Sequence, residues 1–350
     1  MTPLHQTPVF ATGITRLFGI RHPILCGGLM WLSTADYVAA AGRAGGLGFL
    51  TARSFPDLGA FRAELQKCKA LAEGHPIGVN LYISNRPEAN AMLHGHVAVL
   101  LEEGIRAVET AGNTPSAFLP PLKEAGAKVM HKVSILRHAA RAVKDGADAI
   151  AIVGMECGGH PGMDFIGTMV QAPLAAARLD VPVVIGGGIG TGSQITACLA
   201  MGAAGVVLGT RTLVAQEIWA KDPYKQRIIA ADERASRLVL SILRNTYRVM
   251  DNGTARQVAE MEAAGIADFE AYRAHVEGKV QFEAYASGDV EKGMLAMGQA
   301  AVFADRVAPL ADIYDQLLGE AGRALAVLDA TRLPGATEAA ARAAADVAAA

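Results

Sequence analysis

Eight short apolar, β-branched runs recur along this chain, and their rhythm constrains the fold more than any other feature. They lie at residues 24–26, 48–50, 77–79, 108–110, 129–131, 149–152, 183–185 and 206–208. Roughly twenty to thirty residues separate one from the next, the length of a strand-helix-strand unit. Ala-rich stretches with helical spacing fill the gaps, as at 35–44, 136–144 and 194–201. Gly146 and Gly202 stand where a left-handed residue can stop a helix. Runs that are apolar throughout predict a parallel sheet covered on both faces. An α/β fold follows, with a closed (β/α)8 TIM barrel as the simplest solution and an open doubly wound sheet as the alternative.

The pattern changes after Arg211 to longer charged amphipathic segments, among them 231–250 and 256–264, with no further strand signal. We expect residues 1–212 and about 291–325 to form the barrel and its closing helices. Residues from about 213 to 290 form an added C-terminal helical subdomain on the substrate side, and 339–350 is an Ala-rich tail without assigned function. At 350 residues and 51% hydrophobic content the chain can bury a core of this size. Residues 181–210 carry no formal charge, but eight glycines and Pro182 in that run read as strand, loop, helix and strand rather than a membrane span.

Thirty-two basic residues balance 34 acidic ones with no basic run, so nothing favours a nucleic-acid partner or an anionic membrane surface. A small-molecule substrate is expected, and the oligomeric state, a homo-oligomer included, stays open. Cys26, Cys68, Cys157 and Cys198 lack paired metal spacing, and the sequence reads without a secretory leader. A reducing cytoplasm is the expected setting.

The sharpest motif runs from Val183 through Gly186-Gly187-Gly188-Ile189-Gly190-Thr191-Gly192, answered after the next strand by Gly209-Thr210-Arg211. These are the seventh and eighth strand-to-helix junctions. Loops there commonly form a phosphate site, because glycine lets backbone N–H groups approach an anion and a helix N-terminus adds partial positive charge. The glycines do not follow the dinucleotide-fold spacing, and no acidic residue lies where it would grip a ribose. Tight turns alone are the alternative reading.

Met155-Glu156-Cys157-Gly158-Gly159-His160-Pro161-Gly162 follows the sixth strand, which places His160 over the barrel mouth, where its imidazole can accept a proton or donate a hydrogen bond. A turn residue is the plainer alternative. Glu156, Cys157 and His160 lack a second ligand pair, so no metal is expected, and Cys157 has no evident base to activate it. In Val129-Met130-His131-Lys132-Val133 the two charged residues face opposite ways. Lys132, nearer the C-terminal end, is the candidate to meet a phosphate or an anionic cofactor. Asn80 ends its strand with both a donor and an acceptor, and Gly27 and Gly28 permit close approach of a flat ring.

Taken together and in order, Cys26-Gly27-Gly28-Leu29-Met30-Trp31, Gly45-Gly46-Leu47-Gly48, Gly78-Val79-Asn80, His131-Lys132, the 156–162 loop, the Gly186 run, Gly209-Thr210-Arg211, Ala231-Asp232-Glu233-Arg234, Leu243-Arg244-Asn245-Thr246 and Gly298-Gln299 resemble the nitronate monooxygenase (2-nitropropane dioxygenase) family. The resemblance implies an FMN-dependent oxidoreductase. Gly27, Gly28, Leu29, Asn80, Lys132, Gly159, Gly187, Gly188, Gly209 and Thr210 then look like the flavin contacts, and His160 like the active-site histidine. The 156–162 loop is most similar to the family's NADH:quinone reductase branch, which implies NADH or NADPH as donor and a quinone-type acceptor. Oxidation of alkyl nitronates with O2, or a flavin- or phosphate-binding barrel without turnover, are the alternatives. Leu29-Met30 and Val153 depart from the pattern, since a Met-Gln pair and an acidic residue are expected at those places.

Overall fold

In a computed structural model of the chain, which describes residues 3–7 and 9–332, the eight apolar runs are parallel strands that close on themselves. They are β1 (Ile24–Cys26), β2 (Leu47–Thr51), β3 (Gly78–Ile83), β4 (Ala107–Gly112), β5 (Lys128–Val133), β6 (Ala149–Val153), β7 (Val183–Gly186) and β8 (Gly205–Leu208). Each pairs with the next, and β8 returns to β1 with Leu25 opposite Val207. The fold is a TIM barrel.

Period-two alternation divides the apolar residues into two cores. Leu25, Phe49, Met130, Ala151, Val184 and Val207 pack inside the barrel, where Ile14 and Phe18 of the helix Gly13–Phe18 join them. Ile24, Leu50, Val79, Val129, Ile150 and Val206 point outward into a layer shared with the surrounding helices. Asn80, Glu109 and Lys132 have the inward parity of Gly78, Ala107 and Met130, so three polar side chains enter the interior near the C-terminal ends of β3, β4 and β5.

Gly146 (φ +110°) ends the helix Leu136–Asp145 in the left-handed region, and Gly202 (φ +91°) follows the helix Gly192–Ala200. The long helix Leu310–Ala330 closes the barrel against Gly192–Ala200, with Glu320 Oε2 accepting from the Gly192 N–H at 2.7 Å. Among the described residues no helix is long and apolar enough to cross a membrane. The 339–350 tail lies outside the described residues.

One segment differs from the sequence expectation. Residues 231–250 do not form a helix. They hold an antiparallel hairpin of β9 (Ser236–Val239) and β10 (Tyr247–Met250), and Arg244 stands in the turn with φ +53°. β10 forms bridges to Gly159 and Ala296, partners far away in sequence, and such tertiary pairing overrides local helix propensity. Arg248 is therefore a strand residue. The helix Gly253–Ala263 follows close to its expected place, and Phe269–Val276 and Gly278–Ser287 complete the helical part. Val239, Val249, Val258 and Tyr272 give this region its own small core.

Candidate active site at the barrel mouth

The floor of the mouth is a hydrogen-bonded cluster centred on Glu109, a residue that sequence reasoning passed over. Its Oε1 accepts from the Gly28 N–H (3.0 Å), from Asn80 Nδ2 (2.6 Å) and from Lys132 Nζ (2.9 Å). Glu109 is fully buried, Asn80 nearly so, and Lys132 keeps partial exposure toward the mouth. The signal that could have found it is parity: a carboxylate in the middle of an apolar strand, in register with Asn80 across the β3–β4 pair.

Gly27 and Gly28 serve different ends. A Cβ on Gly28 would fall 2.5 Å from Asn80 Cγ, so this glycine is needed for backbone to pack on Asn80. A Cβ on Gly27 would first meet Val207 Cγ2 at 3.0 Å and would stand 3.7 Å from Lys132 Nζ and 3.8 Å from Glu109 Oε2, beside the charged pair. Leu29 borders Gly209, whose added Cβ would first meet Leu29 Cδ2 at 3.7 Å.

His131 points the other way, into the helix layer, with Nδ1 2.9 Å from Thr110 Oγ1. Burial pushes its pKa down to about 4, the nearby His138 adding to the effect. Because the folded value lies below the ordinary 6.5, the neutral ring's contribution to stability is complete above pH 6.5 and is lost as pH falls toward 4. Between pH 7 and pH 4 the protein is expected to lose about 3 kcal/mol more unfolding free energy than a His131→Asn variant. Urea titrations at both pH values check this; parallel losses in the two proteins would remove His131 as the source.

At the ends of β7 and β8 the backbone is open to a ligand. Gly187 (φ +98°) and Gly188 (φ +72°) take left-handed conformations. The N–H groups of Gly188, Ile189, Gly209 and Thr210 donate to no acceptor among the described residues. The following helix N-terminus contributes less than its sequence suggests. Gln194 Oε1 takes the Gly190 and Thr191 N–H groups at 2.8 and 3.1 Å, and Glu320 takes that of Gly192. The anion-binding capacity therefore lies in the loop before the helix. Arg211 turns away from the mouth toward Gln316 and Asp305.

The 154–162 loop forms the wall. Glu156 accepts from the Thr168 N–H with both carboxylate oxygens (3.0 and 3.1 Å), which places a negative charge at the N-terminus of the helix Thr168–Arg178. Burial pushes the Cys157 thiol up to about 12, so it stays protonated at neutral pH and is a poor nucleophile. Gly298 lies tightly against Gly158, and its N–H donates to Thr210 Oγ1 at 2.9 Å, tying the wall to the β8 end. Gly159, with φ +89°, exchanges two backbone hydrogen bonds with Arg248 of β10 (3.0 and 2.7 Å). Arg248 Nε also donates to the Met155 carbonyl at 3.0 Å. The hairpin thus clamps the loop.

His160 stacks on Tyr247, ring centroids 4.5 Å apart and planes 17° from parallel. Its ring is exposed to water but crowded by the walls of the mouth, and that crowding lowers its pKa to about 4. The lowered pKa leaves the imidazole neutral at physiological pH. A cavity of about 400 Å³ opens at the opposite end of the barrel, bordered by Phe18, His75, Arg106 and Lys128. It is remote from this chemistry, and the C-terminal end is where barrel enzymes place their active sites.

Residues 11–320 match the nitronate monooxygenase family. A Mycobacterium tuberculosis relative, (3aS,4S,5R,7aS)-5-hydroxy-7a-methyl-1-oxo-octahydro-1H-indene-4-carboxyl-CoA dehydrogenase, is 35% identical over 221 residues, or 63% of this chain. The chain matches 60% of the length of that relative and of its Rhodococcus jostii counterpart. The nitronate monooxygenase of Paraburkholderia phytofirmans is 28% identical over 344 residues, covering 86% of this chain and 92% of that protein. Among solved structures, FabK from Thermotoga maritima superimposes with a TM-score of 0.83 at 29% identity, covering 93% of this chain and all of the other. By a match that runs across nearly its whole length, this chain belongs to the nitronate monooxygenase family.

Proposed function

We propose that the protein is an FMN-dependent oxidoreductase that takes electrons from NADH or NADPH and passes them to a neutral, quinone-type acceptor beside His160. The observation that carries this reading is the charge state of the mouth. Lys132 is paired with Glu109, and Arg248 is bonded to the Met155 carbonyl and to Ser236 Oγ. The titratable side chain that the 154–162 loop presents to a substrate is a neutral imidazole. Such a group donates a hydrogen bond to a carbonyl oxygen and exchanges a proton with it as electrons arrive, but it offers little Coulombic attraction to an anion.

The residues present fit FMN. The free N–H groups of Gly188, Ile189, Gly209 and Thr210 suit its phosphate, with Gly187 shaping the loop. Gly27, Gly28, Leu29, Asn80, Lys132 and Gly159 would border its ring. When bound, FMN supplies the electron-transfer chemistry. The chain's own part is to hold the acceptor against His160, whose ring orientation the Tyr247 stack fixes.

A second reading, oxidation of alkyl nitronates with O2, is supported by the family match and by the Paraburkholderia relative. A third reading, oxidation of a hydroxylated ring carried on a CoA thioester, is supported by the name of the Mycobacterium relative, and that thioester belongs in the same substrate panel. The test is an absorption spectrum of the purified protein, recorded anaerobically before and after each candidate donor. Bleaching by NADH or NADPH and recovery on adding a quinone is the expected result. Bleaching by a nitronate alone assigns the second reading, and bleaching by the hydroxyacyl-CoA alone assigns the third. A protein that takes up no flavin even when FMN is added removes all three.

A further inference from the structure

Glu109 is more than an anchor for its neighbours. All three of its donors converge on Oε1, while Oε2 is buried and accepts from nothing among the described residues. Oε2 and Lys132 Nζ border the same space beside Gly27. A buried carboxylate with one oxygen unused is costly, and such arrangements concentrate where the charge serves a site. Asn80 and the Gly28 N–H could be satisfied by a neutral amide oxygen. Only Lys132 has use for the negative charge.

We propose that Glu109 is a positioning residue that aims Lys132 at the ring face of the mouth and cancels its charge there, thereby setting the reduction potential of the bound flavin. The proposal rests on the FMN reading above. A cation beside a group that gains electrons favours the reduced form, and a carboxylate 2.9 Å from that cation offsets the effect. Glu109→Gln keeps the shape and an acceptor oxygen but leaves the lysine charge uncompensated. Lys132→Met leaves the carboxylate alone. The two changes therefore shift the potential in opposite directions, which loss of a purely structural contact cannot do.

The experiment is a spectroscopic redox titration of the FMN-loaded protein against a reference dye, with FMN affinity measured in parallel by fluorescence quenching. Glu109→Gln is expected to raise the two-electron potential by at least about 30 mV, a tenfold change in the redox equilibrium. Lys132→Met is expected to lower it by a similar amount, and the double variant to return near the starting value. Lys132→Arg and Glu109→Asp, which keep the charges, should stay close to the parent; should Glu109→Gln fail to fold, the two Lys132 variants alone decide. Shifts of the same sign, or weakened FMN binding at unchanged potential, overturn the proposal while leaving the FMN reading intact. A parent protein that binds no FMN overturns both.

Discussion

A His160→Ala variant is expected to keep its FMN and to lose about a hundredfold to ten-thousandfold in kcat/KM, the range general acid–base groups supply. The loop that carries His160 does not depend on the imidazole. Gly159 is held by its paired bonds to Arg248, and Gly158 by its contact with Gly298. What the substitution removes from the fold is the stack on Tyr247, about 1 kcal/mol. Steady-state kinetics with the substrate that bleaches and restores the flavin give the first readout, and retention of the yellow colour after gel filtration gives the second. Because the folded pKa is lowered, the parent's rate should stay flat from pH 8 through the ordinary histidine value of 6.5 and fall only in more acid solution. A variant as fast as the parent would make His160 a wall residue and leave proton exchange to solvent.

The barrel was legible because its information is local. Each strand spans three to six residues of which at least three are apolar, and the left-handed glycines Gly146 and Gly202 mark where helices must stop. The site was legible where glycine or histidine stands at a strand end, since position alone then implies closeness to the mouth. It was less legible where function depends on pairing. Glu109 looks like one polar interruption of β4 until the register sets it beside Asn80 and, one strand further, below Lys132. The β9–β10 hairpin was hidden for a related reason. Its strands have four residues each and carry Arg237 and Arg248, so they show no clean alternation, and their edge is completed by Gly159 and Ala296. Glu320 shows the same limit at the phosphate loop, because a residue 128 positions away occupies the helix N-terminus that the glycine run appeared to offer.

The second large effect is expected at Gly28. Gly28→Val places a Cβ 2.5 Å from Asn80 Cγ and 2.9 Å from Asn80 Nδ2, so Asn80 must withdraw. Its bond to Glu109 is then lost or lengthened, and the loop carrying the Gly28 N–H must shift as well. Each is a hydrogen bond to a charged acceptor, worth about 1.5–3 kcal/mol. Losing most of both costs the flavin-free protein about 3 kcal/mol of unfolding free energy, and the displaced floor is expected to weaken the FMN complex by roughly a hundredfold as well. The barrel itself should survive, because Leu25 and Cys26 of β1 still pair with β2 and β8 below the altered loop. Fluorescence titration with FMN, beside a urea unfolding curve of the flavin-free protein, separates the two consequences. An unfolding free energy lower by about 3 kcal/mol together with a roughly hundredfold weaker FMN complex is the expected result. Equal FMN affinity in parent and variant would mean that the floor cluster does not touch the cofactor, and the phosphate loop alone would then carry binding.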